Sequence, residues 1–371
     1  MNLFNKLKYF ELLYRSRKLK NKVIVIESDD WGSERIPNLK IRNELKKIDI
    51  DVETNPHLKY DTLERLEDIE ILQNILENLE RKFDKKIKLT FNFIVSNPDF
   101  ENIKKHHFEK FIYEKFTTTY FNRDGNNYLW LKICELIKKG YLIPQFHGRE
   151  HINVSLWLSE LKRGNKKLLR AFEIGCYGID KYDSLTGRNN LMAAFEYSNN
   201  NEKKFVIESI NDGLSLFEAI FNRKSTTLVA PRHTWNADLE PFINQLGVSA
   251  IQTSMYQISH ERDQYKRIFR YTGMVNSNSG IVYLVRNAFF EPSYSSKIDW
   301  VNKTFKKIHL AFAFNVPVII GMHRINFVGG LSPYQRDLNY ELFIKLIEKI
   351  IKHFPDVEFL SSNELLNHIK S

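Results

Sequence analysis

Short β-branched and aromatic runs alternate with stretches of helical period along most of the chain. The runs fall at residues 22–27, 86–95, 141–146, 226–229, 248–252, 280–285 and 316–322, and their continuous apolar character predicts strands buried on both faces. Between them, apolar positions at helical spacing predict helices over 62–81, 128–139, 155–168, 205–221, 300–313 and 340–353. Alternation of this kind predicts βα units around a parallel sheet or barrel, an α/β fold. Residues 173–203 have weak periodicity and many turn formers, among them Asp183-Ser-Leu-Thr-Gly187 and Ser198-Asn-Asn-Asn201, and are expected to be an insertion. Residues 1–22 mix Lys6, Lys8, Arg15, Arg17, Lys18 and Lys20 with Leu3, Phe4, Leu7, Phe10, Leu12 and Leu13. That pattern is a basic amphipathic helix, either packed on the domain that spans 23–371 or resting on an anionic membrane face.

Four strand ends carry polar residues: Asp29-Asp30, His147-Gly-Arg-Glu-His151, Ala230-Pro-Arg-His-Thr-Trp235 and Met322-His323-Arg324. In barrel enzymes the C-terminal ends of the strands converge on one face, so residues far apart in sequence meet there. Two histidines four apart, if on a helical turn, share a face and can grip one cation. With 11 histidines in 371 residues, chance supplies about 0.3 such pairs, so the spacing alone is weak. Asp29-Asp30 offers the missing carboxylate, because adjacent aspartates repel unless a cation or proton intervenes, and Gly32 lets the chain turn so that both face the site. A carboxylate with two imidazoles leaves room for water, as in a catalytic zinc site. Each feature also has a bland explanation: an Asp-Asp pair capping the next segment, His323 as a core histidine, Arg232 at the surface, Trp235 in the core.

Composition narrows the classes. The chain has 55 basic and 45 acidic residues, a net charge of +10, which favours anionic partners without choosing among them. No nucleic-acid motif is present, and no nucleic acid is expected as partner. No apolar run reaches the ~18 residues of a membrane span, no signal peptide is recognisable, and two distant cysteines suggest neither a thiol metal site nor a disulfide framework. A cytoplasmic protein is expected, with peripheral contact to the inner membrane face through the N-terminal helix as an open alternative. No Gly-x-Ser-x-Gly elbow supports a serine nucleophile.

Taken together, the order of motifs resembles the polysaccharide deacetylase family, the NodB-like carbohydrate esterases, over roughly residue 23 to the C-terminus. The resemblance implies a distorted (β/α) barrel, often of seven strands. Glu27-Ser-Asp-Asp30 resembles the family's Thr-Phe-Asp-Asp, which implies Asp29 as base and Asp30 as metal ligand. His147-Gly-Arg-Glu-His151 matches the family's His-Ser/Thr-x-x-His by spacing, with Gly148 in place of the hydroxyl residue, and implies His147 and His151 as the other ligands of a divalent metal such as Zn2+. Ile319-Ile-Gly-Met-His323 resembles the late strand that ends in the acid, His323. Ala230-Pro-Arg-His-Thr-Trp235 is a loose counterpart of Arg-x-Pro-aromatic-Gly, giving Arg232 as the residue that steadies the base and Trp235, with Trp31, as walls of a sugar pocket. Asp299-Trp300 resembles the end of an Asp-x-x-Asp-Trp motif whose first aspartate is here Ser296.

The implied activity is metal-dependent removal of N-acetyl or O-acetyl groups from a glycan or glycolipid during surface polysaccharide biosynthesis. Hydrolysis of another amide at the same site, such as a small amide, a formylated sugar-lipid or a cyclic ureide, is the second enzymatic reading. A catalytically silent carbohydrate-binding protein is the third.

Overall fold

The computed structural model describes residues 3–179, 181–261 and 264–370, with side chains from residue 6 onward. Its centre is a parallel sheet built from the seven expected runs. These are β1 (Val23–Trp31), β2 (Leu89–Ile94), β3 (Leu142–Gly148), β4 (Thr227–Val229), β5 (Ala250–Thr253), β6 (Val282–Val285) and β8 (Val318–His323). Two short strands, β7 (Ala288–Phe289) and β9 (Glu358–Leu360), join them. The spatial order is β6-β5-β4-β3-β2-β1-β8-β7, with β9 beside the start of β1. Every residue of β1 and β2 is buried, as continuous apolar runs covered on both faces should be.

The sheet curls into a half-barrel rather than a closed seven-stranded ring. Its ends are joined covalently: the chain leaves β6, paired with β5, at Val285 and enters β7, paired with β8, at Ala288, with Arg286 N–H donating to Thr253 O (2.8 Å) and Asn287 N–H to Ile319 O (3.1 Å). The two-residue link therefore spans the gap and carries Arg286 across it. Chain order reverses direction at β1, and the strand ends beside such a switch point are where α/β sheets form clefts.

Register sets the chemistry of that cleft. β1 pairs with β8 so that Asp29 lies opposite His323, and with β2 so that Ser28 lies opposite Phe91. The expected helices are present with adjusted limits: Leu66–Phe83, Tyr128–Lys138, Asn200–Phe221, Trp300–Ala313 and Pro333–His353. The helix expected over 155–168 is two, Val154–Lys162 and Lys166–Glu173. Gly164 takes a φ of +82° and Asn165 caps the second helix through Leu168 N–H. Residues 174–179 and 181–199 are mostly irregular and pack through Cys176, Tyr177, Ile179, Leu191 and Met192 on those two helices, as a second apolar cluster beside the main core. An antiparallel pair, Tyr256–Glu261 with Gln264–Phe269, went unpredicted because its outer strand is largely exposed and lacks an apolar run.

The first helix, α1 (Leu3–Arg15), sets Tyr9, Leu12 and Leu13 into the main core, and Tyr9 donates to Asn287 O (2.8 Å). Among the described residues no helix is long and apolar enough to cross a membrane.

Gly32 closes β1. Its φ is +82°, and a Cβ there would lie 2.5 Å from Ile94 O. Gly32→Ala should therefore cost about 2–4 kcal/mol, read as a fall in the denaturation midpoint with unchanged slope.

Candidate active site

Asp29 and Asp30 end β1 on the same side because Asp30 adopts a positive φ of 77°, a conformation that costs an ordinary residue energy and marks functional turns. Asp30 is 1% exposed. Its Oδ1 lies 3.3 Å from His147 Nε2, 3.1 Å from His151 Nε2 and 2.8 Å from Arg35 Nη2. The two histidines reach it without the expected helical turn: His147 sits in β3 and His151 in the irregular segment that follows. Gly148 makes the turn at a φ of +145°, where a Cβ would meet Glu150 O at 2.9 Å. That crowding gives the physical reason for glycine where the resembled family has a hydroxyl residue.

The donor set suits a cation. His147 Nδ1 faces the carbonyl of Val229 at 2.8 Å; a carbonyl only accepts, so Nδ1 carries a proton, and Nε2 is the ring nitrogen turned toward the Asp30 carboxylate. Burial, helped by Arg35, pulls His151 down to about 3, which keeps it neutral. Asp30 Oδ2 and His151 Nδ1 are buried without a hydrogen-bond partner. Charge points the same way. Asp29, Asp30, Asp61, Glu27, Glu64 and Glu291 face Arg35, Arg286, Arg324 and His323, two formal negative charges more than positive ones even with His323 protonated. Buried charge of that size calls for a partner. The atoms of Asp30, His147 and His151 lie within 4.8 Å of one another, enough to hold one ion.

Asp29 is gripped differently. Arg286 donates from Nη1 to Oδ2 (2.6 Å) and from Nη2 to Oδ1 (2.7 Å), and Asn92 donates to Oδ1 (2.7 Å). Burial alone would raise its carboxyl, but the charge and hydrogen bonds of Arg286 hold it well below the usual range. Arg286 is itself fixed by Glu27 (2.7 Å), which accepts from Ser362 (2.8 Å). Oδ1 has both lone pairs engaged by these donors, whereas Oδ2 accepts from one, leaving a lone pair for a substrate proton.

Opposite Asp29, His323 Nδ1 binds Glu291 at 2.6 Å. Burial would lower the imidazole, but Glu291, with Asp30 and Asp29 beyond, raises it to about 9. Asn326 donates to the other Glu291 oxygen (2.8 Å). The cleft between these groups has a volume of about 210 Å3, and Arg35, His57, His233 and Tyr294 complete its wall.

Three expected roles are corrected. Arg286, not Arg232, grips Asp29; Arg232 is exposed in a turn with a φ of +57° at the cleft's edge. Trp31 is fully buried, stacked on Phe91 at 3.8 Å and donating to Ser28, and Trp235 is fully buried and donates to Glu240. Neither indole lines the cleft, since each follows its strand into the core. Asp299 is the N-cap of the helix it opens, accepting from Asn302 N–H (3.0 Å), so its likeness to a motif end is structural. Arg35, His57, Arg286, Glu291 and Tyr294 were missed. Arg286 follows a β run directly, and the same strand-end argument that selected His323 selects it too.

No protein-family model matches the sequence, and no curated protein sequence matches it either. Solved structures align with it at low identity. A chain described as a glycoside hydrolase/deacetylase from Parabacteroides distasonis aligns over 94% of this chain and 71% of its own, at 8% identity and TM-score 0.49. A chain described as a polysaccharide deacetylase from Pseudomonas aeruginosa aligns over 93% and 90%, at 6% identity and TM-score 0.48. A 4-alpha-glucanotransferase from Thermococcus litoralis aligns over 94% of this chain, which spans 40% of that enzyme, at 8% identity and TM-score 0.46. At these identities and scores the functional reading rests on the site itself.

Proposed function

We propose that the protein is a metal-dependent hydrolase that removes an acyl group, N-acetyl in the simplest case, from a sugar. The observation that carries this reading is the pairing of a buried carboxylate–imidazole–imidazole triad with two oppositely tuned groups, a carboxyl held ionised and an imidazole held protonated, on neighbouring strands. Such a pair divides base and acid roles at one pH.

Asp30, His147 and His151 would hold the cation. When bound, it supplies a polarised amide carbonyl and a water acidified toward neutrality. Asp29 takes the proton of the attacking water at the lone pair of Oδ2, held in place by Arg286 and Asn92. His323, whose Nδ1 is fixed by Glu291, turns Nε2 to the cleft and gives its proton to the departing nitrogen, since an amine leaves poorly unless protonated. Tyr294, with its hydroxyl 3.1 Å from His57 Nε2 and 3.4 Å from His323 Nδ1, closes the side of the cleft and limits access of bulk water. A silent binding protein would have no need to hold acid and base in opposite protonation states.

The test is release of acetate from N-acetylated sugars by metal-loaded protein. No turnover on any N-acyl or O-acyl sugar, with the metal bound, would overturn the reading.

The pH profile follows from His323. Its raised value keeps the proton on at neutrality, so turnover should persist below about 9 and fall as pH rises through that value. Glu291→Gln removes the charge that raises it, and the alkaline fall should move to lower pH with kcat/KM nearly unchanged on the acidic side. A fall that stays in place would separate Glu291 from the acid.

A further inference from the structure

A helix that only packs on a domain buries one apolar face and turns polar residues outward. The first helix does not. Tyr9, Leu12 and Leu13 of α1 are buried against the main core, yet the side turned away from them carries Leu7, Phe10 and Tyr14, exposed at 60%, 44% and 78%. Spacings of three and four put these three on one stripe. Single exposed apolar side chains are ordinary on a protein surface, whereas a contiguous row about 10 Å long on one helix marks a contact surface.

Charge selects what the stripe meets. Residues 1–22 hold seven basic side chains against one acidic, so six of the chain's ten excess positive charges lie on this segment. Lys6, Arg15, Arg17, Lys18 and Lys20 are exposed. The single acid, Glu11, pairs with Lys8 (2.8 Å) and Arg15 (3.3 Å), and this group borders the stripe on one side while Lys6 borders it on the other. A second copy of the chain is a poor partner, because a two-fold pairing lays each stripe on itself and brings the basic margins together as well. An anionic bilayer answers both features at once, with an apolar layer for the stripe and negative headgroups for the margins, as for a helix lying in the membrane interface.

We propose that α1 docks the protein on an anionic membrane surface, with Leu7, Phe10 and Tyr14 at the boundary of headgroups and acyl chains and the basic residues of the segment among the headgroups. The inner face of the same helix, through Tyr9 and Leu12, walls an apolar cavity that shares Tyr294 and His323 with the cleft, so the docking element adjoins the candidate active site. The inference does not depend on the hydrolase reading.

Flotation of the intact chain with vesicles of phosphatidylcholine and phosphatidylglycerol, mixed at about 2:1, provides the test. Partitioning onto these vesicles is expected, weakened about tenfold or more on pure phosphatidylcholine and likewise at about 1 M salt, where charges are screened within about 3 Å. Leu7→Gln/Phe10→Gln, which keeps charge and helix propensity, should weaken partitioning by about tenfold or more through the apolar area lost. Lys6→Gln/Arg17→Gln/Lys20→Gln should do the same through charge, at roughly fivefold per residue that reaches the surface. Both sets of positions are exposed, so far-ultraviolet dichroism should match the wild type. His147→Ala/His151→Ala should float as the wild type does, so failure of the metal reading and failure of this one are distinguishable. No partitioning, equal partitioning onto uncharged vesicles, wild-type behaviour of either variant, or a wild-type dimer in sedimentation velocity that Leu7→Gln/Phe10→Gln dissociates would overturn the proposal, the last by giving the stripe to a second copy of the chain.

Discussion

His147→Ala/His151→Ala should carry less than about 0.1 divalent metal per chain, against near one for the wild-type protein reconstituted with zinc. Elemental analysis after gel filtration checks this. A lone aspartate gives an ion too few ligands and too little geometry to compete with water. Folding should survive, because both imidazoles lie at strand ends where the sheet opens, outside the apolar core. Hydrolysis should fall below detection in the variant. Wild-type protein that binds no divalent metal after reconstitution would remove the hydrolase mechanism, whatever the variant does. Metal retained by the variant would move the binding site from His147 and His151 to the second group that could hold an ion, Asp30 with His57 and His323.

The second large effect belongs to the base. Asp29→Asn should lower kcat/KM about 10³-fold, ~4 kcal/mol of transition-state stabilisation, while metal content stays near one per chain. Asparagine keeps the shape and can still accept from Arg286, but it cannot take a proton. Since Arg286 is buried and loses one of its two carboxylates, some stability should be lost as well. Thermal denaturation separates that loss from the catalytic one, and a folded, metal-loaded variant is the fair comparison. Turnover at the wild-type rate in such a protein would end Asp29's role as base. Arg286→Lys offers a graded companion: a single ammonium cannot reproduce the two-pronged grip, so turnover should fall less than in Asp29→Asn while the metal is retained.

Much of the fold was written in periodicity. Each of the seven apolar runs became a strand, because a segment apolar on both faces can only be covered in the middle of a parallel sheet. The helices followed from amphipathic spacing, with limits moved by caps such as Ser332 before Pro333 and by the break at Gly164. The strand-end argument also brought Asp29, Asp30, His147, His151 and His323 to one cleft. It failed where residue type was taken for role. Tryptophans beside the motifs were assigned to a sugar pocket, yet Trp31 and Trp235 satisfy their indole N–H groups internally and fill the core, the commoner fate of a large apolar ring. The arginine chosen for its neighbouring motif, Arg232, lost to Arg286, whose partners Glu27 and Asp29 are more than 250 residues away in sequence.

The sequence by itself determined the elements and which of them end in chemistry, since both follow from local pattern: apolar period within a segment and polar residues just beyond it. Tertiary structure decided which of those residues meet. The pairing of β1 with β8 sets Asp29 against His323; the left-handed turns at Asp30 and Gly148 aim carboxylate and imidazoles at one point; and the link across the open barrel delivers Arg286. Each of these depends on strand register and on backbone conformations that only packing against distant segments can hold, and no local pattern encodes them.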